Sequence, residues 1–406
     1  MNDRRRVLVC NHFAAPRGEP GGTRHVELAE RFERWDAVVL AADHNLLDGT
    51  RRGEQPPDFE VVRVPGHSGN GPARVAGWLA YAAGVRGAAK RLGPFDAVIG
   101  SSPHLPAAAA AQRAARRLGV PFVFEVRDPW PEVLAGMGAF RPSSPAYRGL
   151  ARLAKRLERQ ADAVVVLSEG VGALLTGRGV PDTKVVVIPN GADADDLDPP
   201  APTDELRRRF GFVDDEVVAV YAGAHGPANG LDLLLDAAPE LARRAPSLRI
   251  VLVGAGVTKT HLQQRAVDES LTNVTFRDPV PKAEVPALLG AADVGIHCLA
   301  DADVFRWGVS PNKLFDYLGA GLPVVTNTPG EVTTMVQEAG AGEAVAPDGL
   351  ADGLTRLAAF TEEQRRGLGA EGRAWLVANR SRDVLAARFE EVLDHVVGAH
   401  RAGEAS

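Results

Sequence analysis

Eleven short apolar runs, most of them followed by a helical pattern, constrain the fold of this chain more than any other feature. The first six are VLVC (7–10), AVVLA (37–41), AVIG (97–100), PFVFEV (121–126), AVVVLS (163–168) and VVVIPN (185–190). The other five are VVAVYAG (217–223), RIVLVG (249–254), VTF (274–276), VGIHCL (294–299) and PVVTN (323–327). They are continuous rather than alternating, the pattern of strands buried on both faces of a parallel sheet. Between them, Val26, Ala29 and Phe32 share one helical face, as do Leu150, Leu153 and Leu157. A stretch rich in Asp, Pro and Ala, NGADADDLDPPAPTDE (190–205), separates the two series and reads as a linker. At 406 residues the chain is too long for one ordinary core. The expected architecture is α/β, with two doubly wound domains at 1–195 and 196–383. The last helix, within 384–406, is compatible with either domain, the first included. Ligands of such sheets bind beyond the carboxyl ends of the strands, here in the cleft between domains.

Composition excludes several classes. Hydrophobic residues make up 45% of the chain and charged ones 24%, a globular balance rather than a disordered one. The net charge of −6, with both signs interspersed, gives no general case for a nucleic-acid partner. Cys10 and Cys298 sit singly in apolar runs, which suits buried, reduced thiols. The basic start MNDRRR is followed by an apolar stretch too short for an export signal. No segment approaches the roughly 18 apolar residues of a membrane span. The expected location is cytoplasmic.

The segment SPNKLFDYLGAGLPVV (310–325) carries the strongest local chemistry. Ser310 is a good N-cap and Pro311 a favoured first helical residue, so a helix is expected to begin there. Its free N–H groups and positive dipole end suit an anion, and Lys313 adds a full charge in the first turn. Asn312 and Asp316 are four apart and share a face. A diphosphate with a ribose diol fits this pattern; so does a capped core helix with an ion-paired lysine. Gly21 and Gly22, in GEPGGTRHVELAERF (18–32), permit close backbone approach after the first strand, as does a plain tight turn. FEVRDPWPE (124–132) sets Arg127, Asp128 and Trp130 where a buried strand exits, and His104 follows another strand. Both are candidate site positions, with a solvated loop and a structural histidine as the alternatives. YAGAHGPANGLD (221–232) brings Gly223, Gly226 and Gly230 into a compact loop, while the Gly-x-Gly of VGAG (253–256) is a weak signal. The basic amphipathic stretch 147–160 presents Arg148, Arg152, Lys155, Arg156 and Arg159. A solvated helix face is the preferred reading over a peripheral contact with the anionic inner face of a membrane.

Together these motifs resemble the retaining glycosyltransferases of family 4, of the GT-B fold with two facing Rossmann-like domains. The branch acting in bacterial O-antigen, capsule and amino-sugar glycan assembly is the most similar. The resemblance runs over nearly the whole chain, through the Gly-Gly loop, RDPWPE (127–132), LSEG (167–170), VIPNGAD (187–193), YAGAHGPANGLD, the run 273–296 and SPNKLFDYLGAGLPVV. It implies that the second domain binds a nucleoside-diphosphate sugar, with UDP and an N-acetylhexosamine or related sugar as the expected donor. Asp316 would hold the ribose, Ser310, Pro311, Asn312 and Lys313 would meet phosphate or sugar, and Val280 would border the base. Gly22 would approach the diphosphate, and the first domain would hold an acceptor hydroxyl. Three departures stand out. The earlier of the family's two glutamates falls on Gly308, its phosphate-loop Arg and Lys fall on Ala224 and Asn229, and a first-domain His is replaced by Arg127. Lys313, Arg306, Arg127 and two helix starts are then the donors left for the diphosphate. No metal or other cofactor is expected. The alternatives are a sugar-nucleotide epimerase on the related fold and a silent nucleotide-sugar-binding subunit.

Overall fold

A computed structural model describes residues 4–404, except 20, 46–48, 67–71, 137, 139, 202, 302–307 and 309, and except the side chains of 72–74 and 404. The chain divides into two compact units, Met1–Pro189 with Arg382–Ser406, and Asn190–Ser381. Among the described residues the first unit has strands β1 (Arg5–Cys10), β2 (Trp35–Ala42), β3 (Phe59–Val62), β4 (Ala97–Ser101), β5 (Phe122–Val126), β6 (Ala163–Val166) and β7 (Val185–Val187). The second has β8 (Val217–Ala222), β9 (Leu248–Val253), β10 (Val274–Arg277), β11 (Val294–His297), β12 (Val324–Thr326) and β13 (Gly342–Ala344).

Every strand pairing is parallel. The orders are β3-β2-β1-β4-β5-β6-β7 and β10-β9-β8-β11-β12-β13. Each is a doubly wound order that reverses at one point, β1/β4 in the first sheet and β8/β11 in the second. A crevice opens at such a point beyond the carboxyl ends. Two strands escaped the sequence reading, β3 and β13. Both are edge strands interrupted by a glutamate, Glu60 in β3 (FEVV) and Glu343 in β13 (GEA), so neither writes a continuous apolar run.

Central strands are buried on both faces. Val218 and Val220 point into one core of the second unit, Ala219 and Tyr221 into the other. In the first unit one sheet face is covered by the helix Arg382–Glu404, whose Leu385, Phe389 and Leu393 share a core with Val7, Val9 and Ile99. The stretch 190–205 is not the free linker expected from its composition. The unit boundary falls at its start, and Ala192, Ala194 and Leu197 are buried in the second unit's core. Glycines make that packing possible: a Cβ on Gly319 would come 2.4 Å from Leu197 Cδ1, and one on Gly290 would come 2.5 Å from Pro199 Cβ. Arg24–Ala29, the first helix, is also shorter than its pattern suggested. It ends before Phe32, and it buries Arg24, His25, Glu27 and Leu28.

Candidate functional site

In the second unit the chain leaves β8 into a loop, residues 223–230, at the reversal point. Tyr221, the penultimate strand residue, is fully buried and donates its hydroxyl to the Ala224 carbonyl at 2.8 Å. Loop and sheet approach so closely that glycine is required. A Cβ on Gly254 would lie 1.8 Å from Gly223 O, and one on Gly256 would lie 2.2 Å from His225 O. That contact explains the Gly-x-Gly of VGAG as packing. Gly230, at φ +59°, turns the loop against the backbone of Leu299 and Ala300.

The helix Asn312–Gly319 starts one residue later than expected. Pro311 is its N-cap, extended at φ −82° and ψ 112°, and no side chain caps the helix. Ser310 is not the cap, because its groups are engaged elsewhere. Its Oγ accepts from Asn190 N at 2.7 Å, and its carbonyl accepts from Asn190 Nδ2 at 3.0 Å. Among the described residues no side-chain cap is found for the first N–H groups of this helix, as at an anion-binding helix start.

Lys313 lies across the 223–230 loop. Its Nζ donates to Asn229 Oδ1 at 3.0 Å and stands 5.0 Å from the centroid of the Tyr221 ring. The capped, ion-paired lysine considered for this position is therefore not the arrangement found: this ammonium is held by an amide and an aromatic face. Burial pushes the ammonium below the ordinary lysine range, with the neighbouring Cys298 and Asp316 opposing the shift. Gly223 is what admits the side chain, since a Cβ there would come 2.8 Å from Lys313 Cδ. Replacing Gly223 by Ala is therefore expected to displace Lys313, lowering the rate of any reaction that uses this ammonium by at least about tenfold with little change in melting temperature. Steady-state kinetics and a thermal melt check both parts.

Three further residues fix this arrangement and were not singled out from sequence. The Tyr317 hydroxyl accepts from Ala222 N at 2.9 Å, its ring admitted by Gly295. Asn327 bridges both backbone groups of Leu299 at 3.1 Å. His297, the last residue of β11, is fully buried, with Nδ1 against Thr326 Oγ1 at 3.0 Å and no hydrogen-bond partner for Nε2. Burial, then Lys313, lowers its pKa to about 3, so it is neutral at working pH. A polar residue inside the apolar run VGIHCL was the available signal. Cys10 and Cys298 are both free and buried, and Cys298 Sγ donates to Asn229 O at 2.8 Å.

The remaining second-unit candidates fall around this centre or beyond it. Ala224 is exposed on the loop, Asn312 is exposed on the helix, and Asp316 is half-buried one turn along. Val280 lies after β10, packed on the core. Gly308 has φ +83°, and Arg306 lies outside the described residues. Among the described residues no group of three or more His, Cys, Asp or Glu is arranged to hold a metal ion.

The first unit has its own polar centre. Glu125, on β5, is completely buried and accepts from Arg24 Nε (3.1 Å), His25 Nε2 (2.6 Å) and Ser101 Oγ (2.7 Å). Asn11 Oδ1 accepts from Phe13 N, which leaves its Nδ2 to donate to His25 Nδ1 at 3.0 Å. Nε2 is thus the proton-bearing nitrogen facing Glu125. Burial works to raise the carboxyl's pKa, but His25, Arg24 and Arg127 outweigh it and hold it well below the usual range. The guanidinium of Arg24 also reaches the carbonyls of Pro189 (2.6 Å) and Ile188 (2.7 Å).

Beside this centre the structure brings Gly22 and Arg127 together: a Cβ on Gly22 would lie 3.5 Å from the guanidinium. Gly21 takes φ +134°. Arg127 N donates to Ser102 Oγ at 2.9 Å, and partial desolvation raises the carboxyl pKa of the neighbouring Asp128, with Arg127 opposing the shift. His104 caps the alanine-rich helix Leu105–Leu118, which Gly100 lets lie directly on β4. It is buried among His12, Phe13, Trp78 and Tyr81, and neither ring nitrogen has a hydrogen-bond partner. Burial, then His12, lowers its pKa to about 2. A neutral imidazole at the β1/β4 reversal suits a hydrogen-bonding role, not that of a cation.

Comparison with known proteins agrees with the two-unit division. Residues 21–191 match the family described as glycosyl transferase 4-like domain, and residues 215–359 match glycosyl transferases group 1. A GDP-mannose-dependent alpha-(1-6)-phosphatidylinositol monomannoside mannosyltransferase of Mycolicibacterium smegmatis is 29% identical over 247 residues, 59% of this chain. The match spans 64% of that relative's length. HepE of Anabaena, solved with UDP, superposes with a TM-score of 0.69 at 19% identity, covering 97% of this chain and 100% of that one. Sucrose-phosphate synthase of Thermosynechococcus elongatus gives 0.75 at 17% identity, covering 98% and 100%. With two parallel, doubly wound units and both family matches in chain order, this chain belongs to the family 4 glycosyltransferases of the GT-B fold.

Proposed function

We propose that this chain transfers a sugar from a nucleoside diphosphate to an acceptor hydroxyl with retention of anomeric configuration. The observation that carries the reading is Lys313: a desolvated ammonium held by Asn229 and Tyr221 beside an uncapped helix start. Ammonium and helix N–H groups are what a departing diphosphate needs, because its charge grows as the glycosidic bond breaks. They stand in for the cations that Ala224 and Asn229 do not supply. In this reading the acceptor oxygen attacks on the face the diphosphate leaves, and its proton passes to the leaving phosphate. Asp316 holds the ribose diol and Val280 borders the base. Ser310, Pro311 and Asn312 line the phosphate and sugar. Arg127, Asp128 and His104 serve the acceptor side, with Gly21 and Gly22 giving close backbone approach. No divalent metal is needed, so activity is expected to survive chelation by EDTA.

The preferred donor is a UDP-sugar, in line with the UDP bound to HepE. A GDP-sugar is the second reading, favoured by the name of the mycobacterial relative. A thermal-shift screen against UDP-, GDP-, dTDP- and ADP-sugars separates them. The cognate nucleotide is expected to raise the melting temperature by about 5 °C at concentrations near 100 times Kd. No shift with any of the four would sink the donor-site assignment. Shift without transfer to any acceptor, or conversion of the donor alone, would identify a silent subunit or an epimerase.

A further inference from the structure

On the sheet face of the first unit opposite the helix Arg382–Glu404, the helix Leu105–Leu118 packs between Pro72–Leu92 and Pro145–Gln160. The outward surface of these three helices has an unusual charge composition. Eleven Arg and Lys side chains are exposed there: three on the first helix, three on the second, and on the third Arg148, Arg152, Lys155, Arg156 and Arg159. Glu158 is the one acidic residue in all three helices, and it is buried and ion-paired with Arg178 at 3.4 Å. Among the described residues just one of the eleven, Arg91, makes an ion pair, with Glu60. Elsewhere many exposed cations lie beside acidic residues, as Arg244 does beside Glu240 and Asp352, and Arg356 beside Glu343. In a chain of net charge −6 this face is a segregated positive field.

The helix Pro72–Leu92 adds a second, independent feature. Val75, Leu79, Ala83, Arg86 and Lys90 are three or four residues apart and form one exposed stripe, with Val75 49% and Leu79 60% exposed. The stripe begins apolar and ends basic. Its apolar end adjoins Trp78, whose ring lies 5.1 Å from His104 and 6.4 Å from Trp130. A polyanion in water would match the cations but leave Val75 and Leu79 wet. A bilayer matches both, taking the aliphatic side chains at the acyl boundary and the cations on anionic headgroups.

We propose that this three-helix face docks the protein on an anionic lipid surface, with the apolar end of Pro72–Leu92 inserted and the aromatic wall around His104 beside it. This replaces the reading of 147–160 as a merely solvated face, and it does not depend on the donor assignment. The test is sedimentation of the full chain with vesicles of phosphatidylcholine alone and of phosphatidylcholine with phosphatidylglycerol. Binding to the second vesicle only, weakened by salt, is expected. The triple variant Arg148→Glu, Arg152→Glu, Arg156→Glu should lower the bound fraction about tenfold or more. Leu79→Ser should lower it by a smaller factor, and Lys replacements of the three arginines should retain binding. Melting temperature and nucleotide-induced stabilisation should be unchanged in all of them. Equal binding to both vesicles, or an unaltered triple variant, would overturn the proposal. So would binding to an RNA oligonucleotide without vesicle binding.

Discussion

Lys313→Ala is expected to lower kcat/KM by about 100- to 1000-fold, the usual loss when one fixed donor to a developing negative charge is removed. The fold should persist. Lys313 is half-buried in the first turn of its helix, and its removal leaves Asn229 Oδ1 and the Tyr221 ring free to meet water. Unchanged turnover with an intact melt would remove Lys313 from the mechanism. Lys313→Arg sharpens the test through pH. The wild-type ammonium is depressed by burial, so in free enzyme it loses its proton below the ordinary lysine range. The alkaline limb of kcat/KM should therefore fall early in the wild type. A guanidinium stays charged throughout, so the arginine variant, even if slower, should lack that limb.

The second large effect is structural. Glu125→Gln is expected to destabilise the first unit by about 3 kcal/mol or more, because it leaves the Arg24 charge buried without its counter-charge. Three donors from two parts of the chain, the adjacent Arg24 and His25 and the distant Ser101, converge on that one carboxylate, so the melting transition should move down by several degrees. The pH dependence has a definite sign. The native carboxyl binds its proton less readily than the unfolded one. Its stabilisation is thus fully present above the ordinary glutamate pKa and is lost as pH falls toward the depressed native value. Acid unfolding of the wild type, compared with Glu125→Gln, should show the variant lacking that component. Coincident acid transitions would show that Glu125 is not a stabilising anion.

Both predictions concern residues of unequal legibility. Lys313 stood in a recognisable helix start, yet its partners Asn229 and Tyr221 lie in a different βα unit, and only the fold brings them within reach. Ser310 had the chemistry of an N-cap, but the competing partner, Asn190, is 120 residues away, where local capping logic cannot see it. Glu125 was readable as an oddity in the apolar run PFVFEV, without any hint that Arg24 and His25 would complete it. The eleven apolar runs marked the two sheets because central parallel strands are buried on both faces. β3 (FEVV) and β13 (GEA) left no such mark because Glu60 and Glu343 interrupt them, whereas the other edge strands, β7 and β10, stayed apolar enough to show. Loop glycines were visible, but their purpose was not. Gly254 and Gly256 exist for one another's neighbours across the loop, a relation that spacing alone does not encode.

The return of the last helix to the first unit has a consequence for biosynthesis. Leu385, Phe389 and Leu393 close a core that begins at Val7, so the amino-terminal unit lacks one wall until the final stretch of chain has been made. The second unit, whose residues all precede that helix, can finish folding first. Once residues 1–381 have left the ribosome, the second unit is complete in sequence, while the first still lacks the helix that covers much of one sheet face.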